Sequence, residues 1–457
     1  MKRTALVALA VAAIAVAAAL LYTTAARESE YRRLVAEGER ALRADQTFVA
    51  VENFSGAIAL KGDSMLAYLR RGEAYRRRGG QDDLQKALRD LRMAAQLDPG
   101  ALKPQEELGD VNFALERFAR AAESYDAYLT LDDQSAAVRY KLALSRFRLG
   151  DTAGAIQPLR QAVALNDRLA EAHYLLGVCY GQAGQTPEAV AALERAVELA
   201  PTLLPARQEL VRLLLVQNRE ADAIRELETL AAFEPARTDY LVQAALIYGR
   251  LGRTDLAVTE INRAFERDPA QPLIYQALGR IWLQADPIDL KKALSALDPA
   301  VRAPNATSEA LTLYGRALAL SGDAAGAQRT FQQAVQKAPV DPRAFRELAG
   351  VAQRRGDLLL ARDALVRYLA VTTEPAPARE LSERIGELSL RLGQPDEAAR
   401  WLRQAAEQGD DDVATTSRLA ALQLRAGDRS GAAATVEKGL KKSPASPALL
   451  ALKRQTQ

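Results

Sequence analysis

Glu171 to Pro201 reads EAHYLLGVCYGQAGQTPEAVAALERAVELAP. Leu175, Leu176, Cys179 and Tyr180 recur at steps of three and four residues, and so do Val190, Leu193, Ala196 and Val197. That is helical periodicity, twice. Gly184-Gln185-Thr186-Pro187 breaks it, and such a cluster reads as a turn. Thr186 is expected to cap the second helix, with Pro187 at its first position, where the missing N–H is harmless. Asp286-Pro287 is expected to repeat that device.

Working outward, the same spacing returns along the chain. An alanine recurs as Ala50, Ala87, Ala121, Ala155, Ala189, Ala223, Ala257, Ala293, Ala327, Ala361, Ala398 and Ala432, with one constant interval from Ala87 to Ala293's predecessor Ala257 and slightly longer steps where the chain carries insertions. A second thread of small residues precedes it, Gly38, Gly72, Gly109, Ala143, Gly177, Val211, Ala245, Gly279, Gly315, Ala349, Gly386 and Ala420, with Val211 the one departure. Proline closes several copies, at Pro99, Pro201, Pro235, Pro269, Pro339 and Pro444. One helix pair cannot bury its apolar faces alone, so neighbouring pairs must stack.

This pattern resembles the tetratricopeptide repeat (TPR) family from about residue 31 to the C-terminus, with twelve copies in agreement. The fold class is then all-α, a right-handed α-solenoid of about twelve 34-residue helix-turn-helix units, preceded by an N-terminal hydrophobic helix. The expected organisation is an anchor or signal segment at 1–26, a first array at 31–284, a degenerate Pro-containing unit at 285–308, a second array at 309–446 and a cap helix and tail at 447–457. Three irregularities are predicted: three extra residues in Gly79-Gly80-Gln81-Asp82-Asp83, a bend where Pro299 should cut a helix short, and an insertion of three residues in Thr372–Pro377.

At the N-terminus, Lys2 and Arg3 precede an uncharged run from Ala5 to Tyr22. As a helix it spans about 27 Å, close to the ~30 Å of a bilayer core. Its length favours an uncleaved anchor over a cleaved signal, although its many alanines keep cleavage open. The expectation is a membrane-tethered chain with an extracytoplasmic, periplasmic body, or a secreted periplasmic one if the segment is removed. Arg27, Arg32 and Arg33 weaken the charge contrast that sets orientation.

Composition narrows the chemistry. The 457-residue chain holds 61 basic and 58 acidic residues, one cysteine (Cys179) and one histidine (His173). An internal disulfide and Cys- or His-based zinc sites are excluded. With aromatics at 5% and charge nearly balanced, no nucleic-acid footprint is visible and none is expected as a partner. His173, Cys179, Trp282 and Trp401 read as packing residues. Asp132-Asp133 and Asp410-Asp411-Asp412 read as solvated turn acids, and two Asn-x-Ser/Thr triplets (Asn53, Asn305) as chance matches. No catalytic residue, metal or cofactor is expected.

The TPR resemblance implies a concave groove lined by first helices that holds peptides or partner helices. Carrying the family's groove-facing places onto this sequence gives Arg212, Arg250, Arg280, Arg316, Arg343, Arg346 and Arg354, interrupted by Asp239 and Glu309 and followed by Glu380, Glu383 and Glu387. Arginines in a row suit acidic ligands. The asparagine of chaperone-binding relatives is missing at its usual place. Residues 65–92 carry eight basic against four acidic residues, a charge that suits solubility or, near an anchor, anionic headgroups. The expected function is a non-catalytic, membrane-tethered interaction scaffold. Alternatives are an envelope-assembly or export component and a cytoplasm-facing regulatory subunit.

Overall fold

The computed structural model describes residues 2–372, 378–407 and 413–457, with side chains from residue 13 onward. Among the described residues there are 25 helices and no strand. The chain divides into an N-terminal body, 1–226, and a C-terminal body, 227–457, the division falling inside α12.

The helices come in pairs, a first and a second helix per repeat. In the N-terminal body they are α1 (Lys2–Arg43) with α2 (Thr47–Leu60), α3 (Met65–Arg78) with α4 (Gln81–Leu97) and α5 (Leu102–Ala114) with α6 (Phe118–Leu131). There follow α7 (Ala136–Arg148) with α8 (Thr152–Leu165), α9 (Ala170–Gln182) with α10 (Thr186–Leu199), and α11 (Leu204–Val216) before α12 (Glu220–Phe233). The C-terminal body continues with α13 (Asp239–Arg250) and α14 (Thr254–Arg267), α15 (Pro272–Gln284) and α16 (Leu290–Arg302), α17 (Ser308–Leu320) and α18 (Ala324–Ala334). It ends with α19 (Pro342–Arg354) and α20 (Leu358–Val371), α21 (Ala378–Arg391) and α22 (Pro395–Glu407), α23 (Val413–Arg425) and α24 (Arg429–Lys442), and a single α25 (Pro447–Thr456).

Both sequence threads mark the crossing of the two helices in a pair. All twelve thread alanines are fully buried. One helical turn after each alanine a large apolar side chain is also buried, for instance Phe54, Leu91, Tyr125, Leu193, Leu297 and Phe331. It lies over the small residue of the first helix: a Cβ on Gly38 would sit 2.7 Å from the Phe54 ring, and one on Gly72 2.8 Å from Leu91. Gly109 meets the Tyr125 ring and Gly279 meets Leu297 more closely still. Aromatic rings occur only over glycine, whereas Ala143, Ala245, Ala349 and Ala420 face Leu159, Ile261, Leu365 and Val436. The rings are thus placed where the facing residue has no side chain, although glycine also faces leucine, as at Gly177 and Leu193.

Between the helices of eleven repeats the turn carries a positive φ, at Asp45, Gly79, Glu116, Gly150, Gly184, Asn218, Gly252, Gly322, Gly356, Gly393 and Gly427. Eight of these are glycine, the residue that adopts this conformation at least cost. The remaining repeat has a cis peptide at Asp286-Pro287 instead.

Several expectations are corrected. Thr186 is the first residue of α10; its N-cap is Gln185, which makes no side-chain cap bond, while Pro187 does lie in the first turn. Asp286-Pro287 lies before the helix, and α16 is capped by Asp289, whose carboxylate accepts from the Lys292 N–H. Pro299 does not cut α16, which runs through it to Arg302. A proline forfeits one backbone hydrogen bond, and burial of Ala296, Leu297 and Ala300 offsets it; α8 carries Pro158 in the same way. The extra residues expected at Gly79–Asp83 are taken up at the start of α4. They lengthen α4 to 17 residues against 14 in α2, with Asp82 and Asp83 placed where a helix N-terminus favours acids. Within the insertion, residues 373–377 lie outside the described residues, as do Asp410–Asp412.

The predicted cap helix is present. Ser446 caps α25, and Leu449 is fully buried against Ala420 and Val436. At the other end α1 is one unbroken 42-residue helix, with no break between the apolar run and the first repeat. Among the described residues no helix is long and apolar enough to cross a membrane; the expected span at 5–22 begins in the part of α1, residues 5–12, whose side chains lie outside the described residues.

Within each body, consecutive first helices meet: α1 with α3, α3 with α5, α7 with α9, α9 with α11, and again α13 with α15, α15 with α17, α17 with α19 and α21 with α23. Of the second helices, α22 and α24 also meet. The first helices therefore form the closer-packed, inner side of each stack, as in other helical-pair arrays.

Candidate functional site on the inner face of the C-terminal body

The expected arginine row is divided by the structure. Arg212 lies on α11 in the N-terminal body, where its Nε donates to Glu209 Oε2 at 3.0 Å. The other six lie on first helices of the C-terminal body: Arg250 on α13, Arg280 on α15, Arg316 on α17, and Arg343, Arg346 and Arg354 on α19. Arg280 is half-buried and the rest are exposed.

Charge pairing then separates them. Glu309 on α17 accepts from both Arg280 and Arg343 at the same oxygen, Oε1, with the Arg343 contact at 2.9 Å. Its Oε2 accepts from Gln276 Nε2 at 2.7 Å, and Thr307 donates to Gln276 Oε1 at 2.8 Å. Arg343 Nε also reaches Asp341, the N-cap of α19, at 3.1 Å. Burial, and after it the Arg343 charge, pulls the Arg280 guanidinium below its ordinary pKa. Arg250, Arg316, Arg346 and Arg354, by contrast, have no hydrogen bond or ion pair among the described residues. The acidic group after the row is only partly free: Glu383 is buried and bridged by Arg418 at 2.8 Å, which also lies 4.0 Å from Glu387, while Glu380 is exposed.

Two depressions open on this face. One of about 250 Å³ is lined by Asp239, Val242, Leu246, Ala277 and Arg280 among others. The second, about 450 Å³, lies where the linkers before α17 and α19 meet, at Asn305–Ser308 and Lys337–Asp341. Both include Leu273, Gln276 and Glu309, and Leu273 is 48% exposed. Gln276, Leu273 and Asp341 were not singled out by sequence. The legible signal was opposite charge one repeat apart: Glu309 opens α17 and Arg343 opens α19, at matching places on successive first helices.

Other sequence candidates are structural. Cys179 is fully buried, and burial pushes its thiol pKa up to about 11. His173 donates from Nε2 to the Asp167 carbonyl at 3.0 Å, and burial lowers its pKa. Trp282 and Trp401 pack against apolar clusters. In the basic stretch 65–92, Arg71 forks onto Asp90, Arg76 reaches Glu107, Arg78 reaches Asp83 and Arg77 donates to the Leu42 carbonyl. Much of that charge is internally engaged. Among the described residues no cluster of His, Cys, Asp and Glu could hold a metal ion.

Family profiles described as tetratricopeptide repeat match residues 80–136, 140–203, 289–342 and 321–380, 181–247 and 389–456, and 238–271. The chain belongs to the tetratricopeptide repeat family. This TPR chain is 28% identical over 123 residues to the small glutamine-rich tetratricopeptide repeat-containing protein 2 of Mycosarcoma maydis, 27% of the chain and 34% of the relative, so it spans about a third of that relative's length. Among solved structures it is similar to MamA (25% identity, TM-score 0.36, 39% of this chain and 96% of that one). It is also similar to YrrB, titled a TPR protein with an unusual peptide-binding site (19%, 0.31, 50% and 98%), and to yeast Tom70 (13%, 0.44, 94% and 100%). TPR proteins generally serve as protein-interaction scaffolds.

Proposed function

We propose that this TPR chain is a scaffold that holds acidic segments of partner proteins against the inner face of its C-terminal body. The observation that carries the reading is the set of exposed, unpaired guanidiniums, Arg250, Arg316, Arg346 and Arg354, on α13, α17 and α19. Guanidinium presents a fixed fork of donors that matches a carboxylate, and the two depressions lined by Arg280 and Arg343 supply room for side chains in the same body. A labelled hexaglutamate peptide should bind the full chain, with fluorescence anisotropy as readout, and hexaglutamine should not. The double variant Arg316→Gln/Arg346→Gln should weaken binding about tenfold, taking roughly 0.7 kcal/mol for each exposed pair. Unchanged affinity in that variant would end the reading.

We further propose that α1 tethers the array to a lipid surface. Ile14, Val16, Leu20, Leu21 and Tyr22 are 60–76% exposed, an apolar end that no described residue covers, on a helix that continues without interruption into the first repeat. Flotation with lipid vesicles tests this. The full chain should rise with the vesicles and a chain lacking residues 1–26 should stay behind; equal behaviour would remove the tether. Protease accessibility in spheroplasts then reports which side of the membrane carries the array.

A further inference from the structure

Glu309 is the one acid on the α17 face between Arg280 and Arg343, and its carboxylate is shared by three donors from two flanking helices. We propose that Arg280, Arg343 and Gln276 form a carboxylate subsite that Glu309 fills in the free chain, and that an acidic segment bound to the C-terminal body takes this subsite by displacing it. The inference rests on the acidic-ligand reading above and names where one of the ligand's carboxylates goes.

Three features carry it. The donors converge: Arg280 and Gln276 come from α15 and Arg343 from α19, so the subsite is assembled by the two repeats that flank α17 and does not depend on α17 for its positive charge. The group in place is accessible, because the side chains of Arg280, Glu309 and Arg343 are 26, 32 and 51% exposed. There is also space beside it, since Glu309 and Gln276 line both depressions. The displaced side chain and the incoming one therefore have separate places to go. The Arg343 charge opposes that of Arg280, so an anion shared between them is favoured.

Displacement makes Glu309 a filter. An intramolecular carboxylate competes at high effective concentration, so a ligand with one carboxylate exchanges like for like and gains little. A segment with several gains the unpaired Arg316 and Arg346 as well, which Glu309 does not occupy. The site therefore selects clustered acids over isolated ones.

The test is anisotropy of labelled hexaglutamate on the full chain. Glu309→Gln should bind about tenfold more tightly, about 1.4 kcal/mol, with a steeper loss of affinity on adding salt because two more guanidiniums become available. Glu309→Gln/Arg280→Gln should lose that gain. Should Glu309→Gln unfold, Glu309→Asp, one methylene shorter, should still show a smaller gain. If Glu309→Gln leaves affinity unchanged or lowers it while Arg316→Gln/Arg346→Gln weakens binding, the subsite is wrong and the acidic-ligand reading stands. If Glu309→Gln gains and Arg316→Gln/Arg346→Gln changes nothing, Glu309 does compete with acidic segments at Arg280 and Arg343, but the reading built on Arg316 and Arg346 is overturned, and with it the selection of clustered acids. If no variant alters binding, both are overturned.

Discussion

The two bodies build their inner faces from the same repeat and differ in how the charge bridged across those faces is surrounded. In the N-terminal body it is locked between adjoining first helices. Arg76 on α3 reaches Glu107 on α5 at 2.6 Å, and Lys141 on α7 reaches Glu106 and Asp110 on α5 at 2.8 and 2.9 Å. Glu107 is only 2% exposed, and Tyr125 donates to Asp110 at 2.7 Å. In the C-terminal body Arg418 on α23 holds the buried Glu383 on α21 in the same way, at 2.8 Å, but the bridge at Glu309 sits between two depressions, on a face that also carries arginines with no partner among the described residues. Cross-repeat pairs of this kind join neighbouring repeats; where they are missing, the same positions are left for something else to bind.

The largest expected effect tests that contrast directly. Arg76→Met removes one of two cations from the buried Glu107 carboxylate, leaving Lys103 at 3.2 Å. It should lower the stability of the N-terminal body by roughly 2 kcal/mol, discounted from the cost of breaking a fully buried pair because Arg76 is 34% exposed. Arg316→Met should change stability by less than about 0.5 kcal/mol. Urea unfolding of the two full-length variants measures both, and equal losses would erase the distinction. Because repeat arrays unfold in parts, hydrogen exchange should place the Arg76→Met loss in α3 to α6.

A somewhat smaller effect separates packing from exposure. Gly109→Ala drives a methyl into the Tyr125 ring and should cost about 1–2 kcal/mol net of the better helix propensity of alanine. Gly350→Ala on α19 meets only the Arg354 guanidinium, at 3.7 Å, and should stabilise by about 0.5–1 kcal/mol. Thermal melts that rank them in the reverse order would show that glycine at the crossing is incidental.

The smallest effect concerns acid. Asp428 caps α24 and holds Arg403 at 2.6 Å; that hydrogen bond first, together with the Gly431 N–H, keeps its pKa below the usual carboxylate value. A depressed folded-state pKa gives stability that is present above the unfolded value and lost as pH falls through the folded one. Melting of the α22–α24 region should therefore decline below about pH 4. Asp428→Asn should melt lower at neutral pH and flatten that decline. A parallel decline in the variant would assign it to other carboxylates.

Much of the fold was legible because its signal is local and repeated. The alanine and small-residue threads report where two helices cross, a distance set within one repeat, and twelve copies averaged out the noise. What misled was single residues read one at a time. The extra residues in Gly79-Gly80-Gln81-Asp82-Asp83 were legible, but not that two aspartates at a helix start would draw them into the helix. Pro299 has a breaker's chemistry, yet buried neighbours carry the helix past it. The site was legible as a row of arginines but not as a pattern of free and engaged ones. Whether Arg280 meets Glu309 depends on the first helix of the following repeat, whose rotation the Arg280 segment does not encode.

The pairing of glycine with an aromatic ring, or alanine with an aliphatic chain, lies wholly inside a repeat. Gly109 and Tyr125 belong to one helix pair, as do Gly315 and Phe331. A stretch of gene covering one such pair therefore carries a complete fit with it. Copying or excising that block leaves every ring above its own glycine, so the array can change length by whole repeats. Exchanging a lone helix between repeats would set Phe331 over an alanine methyl.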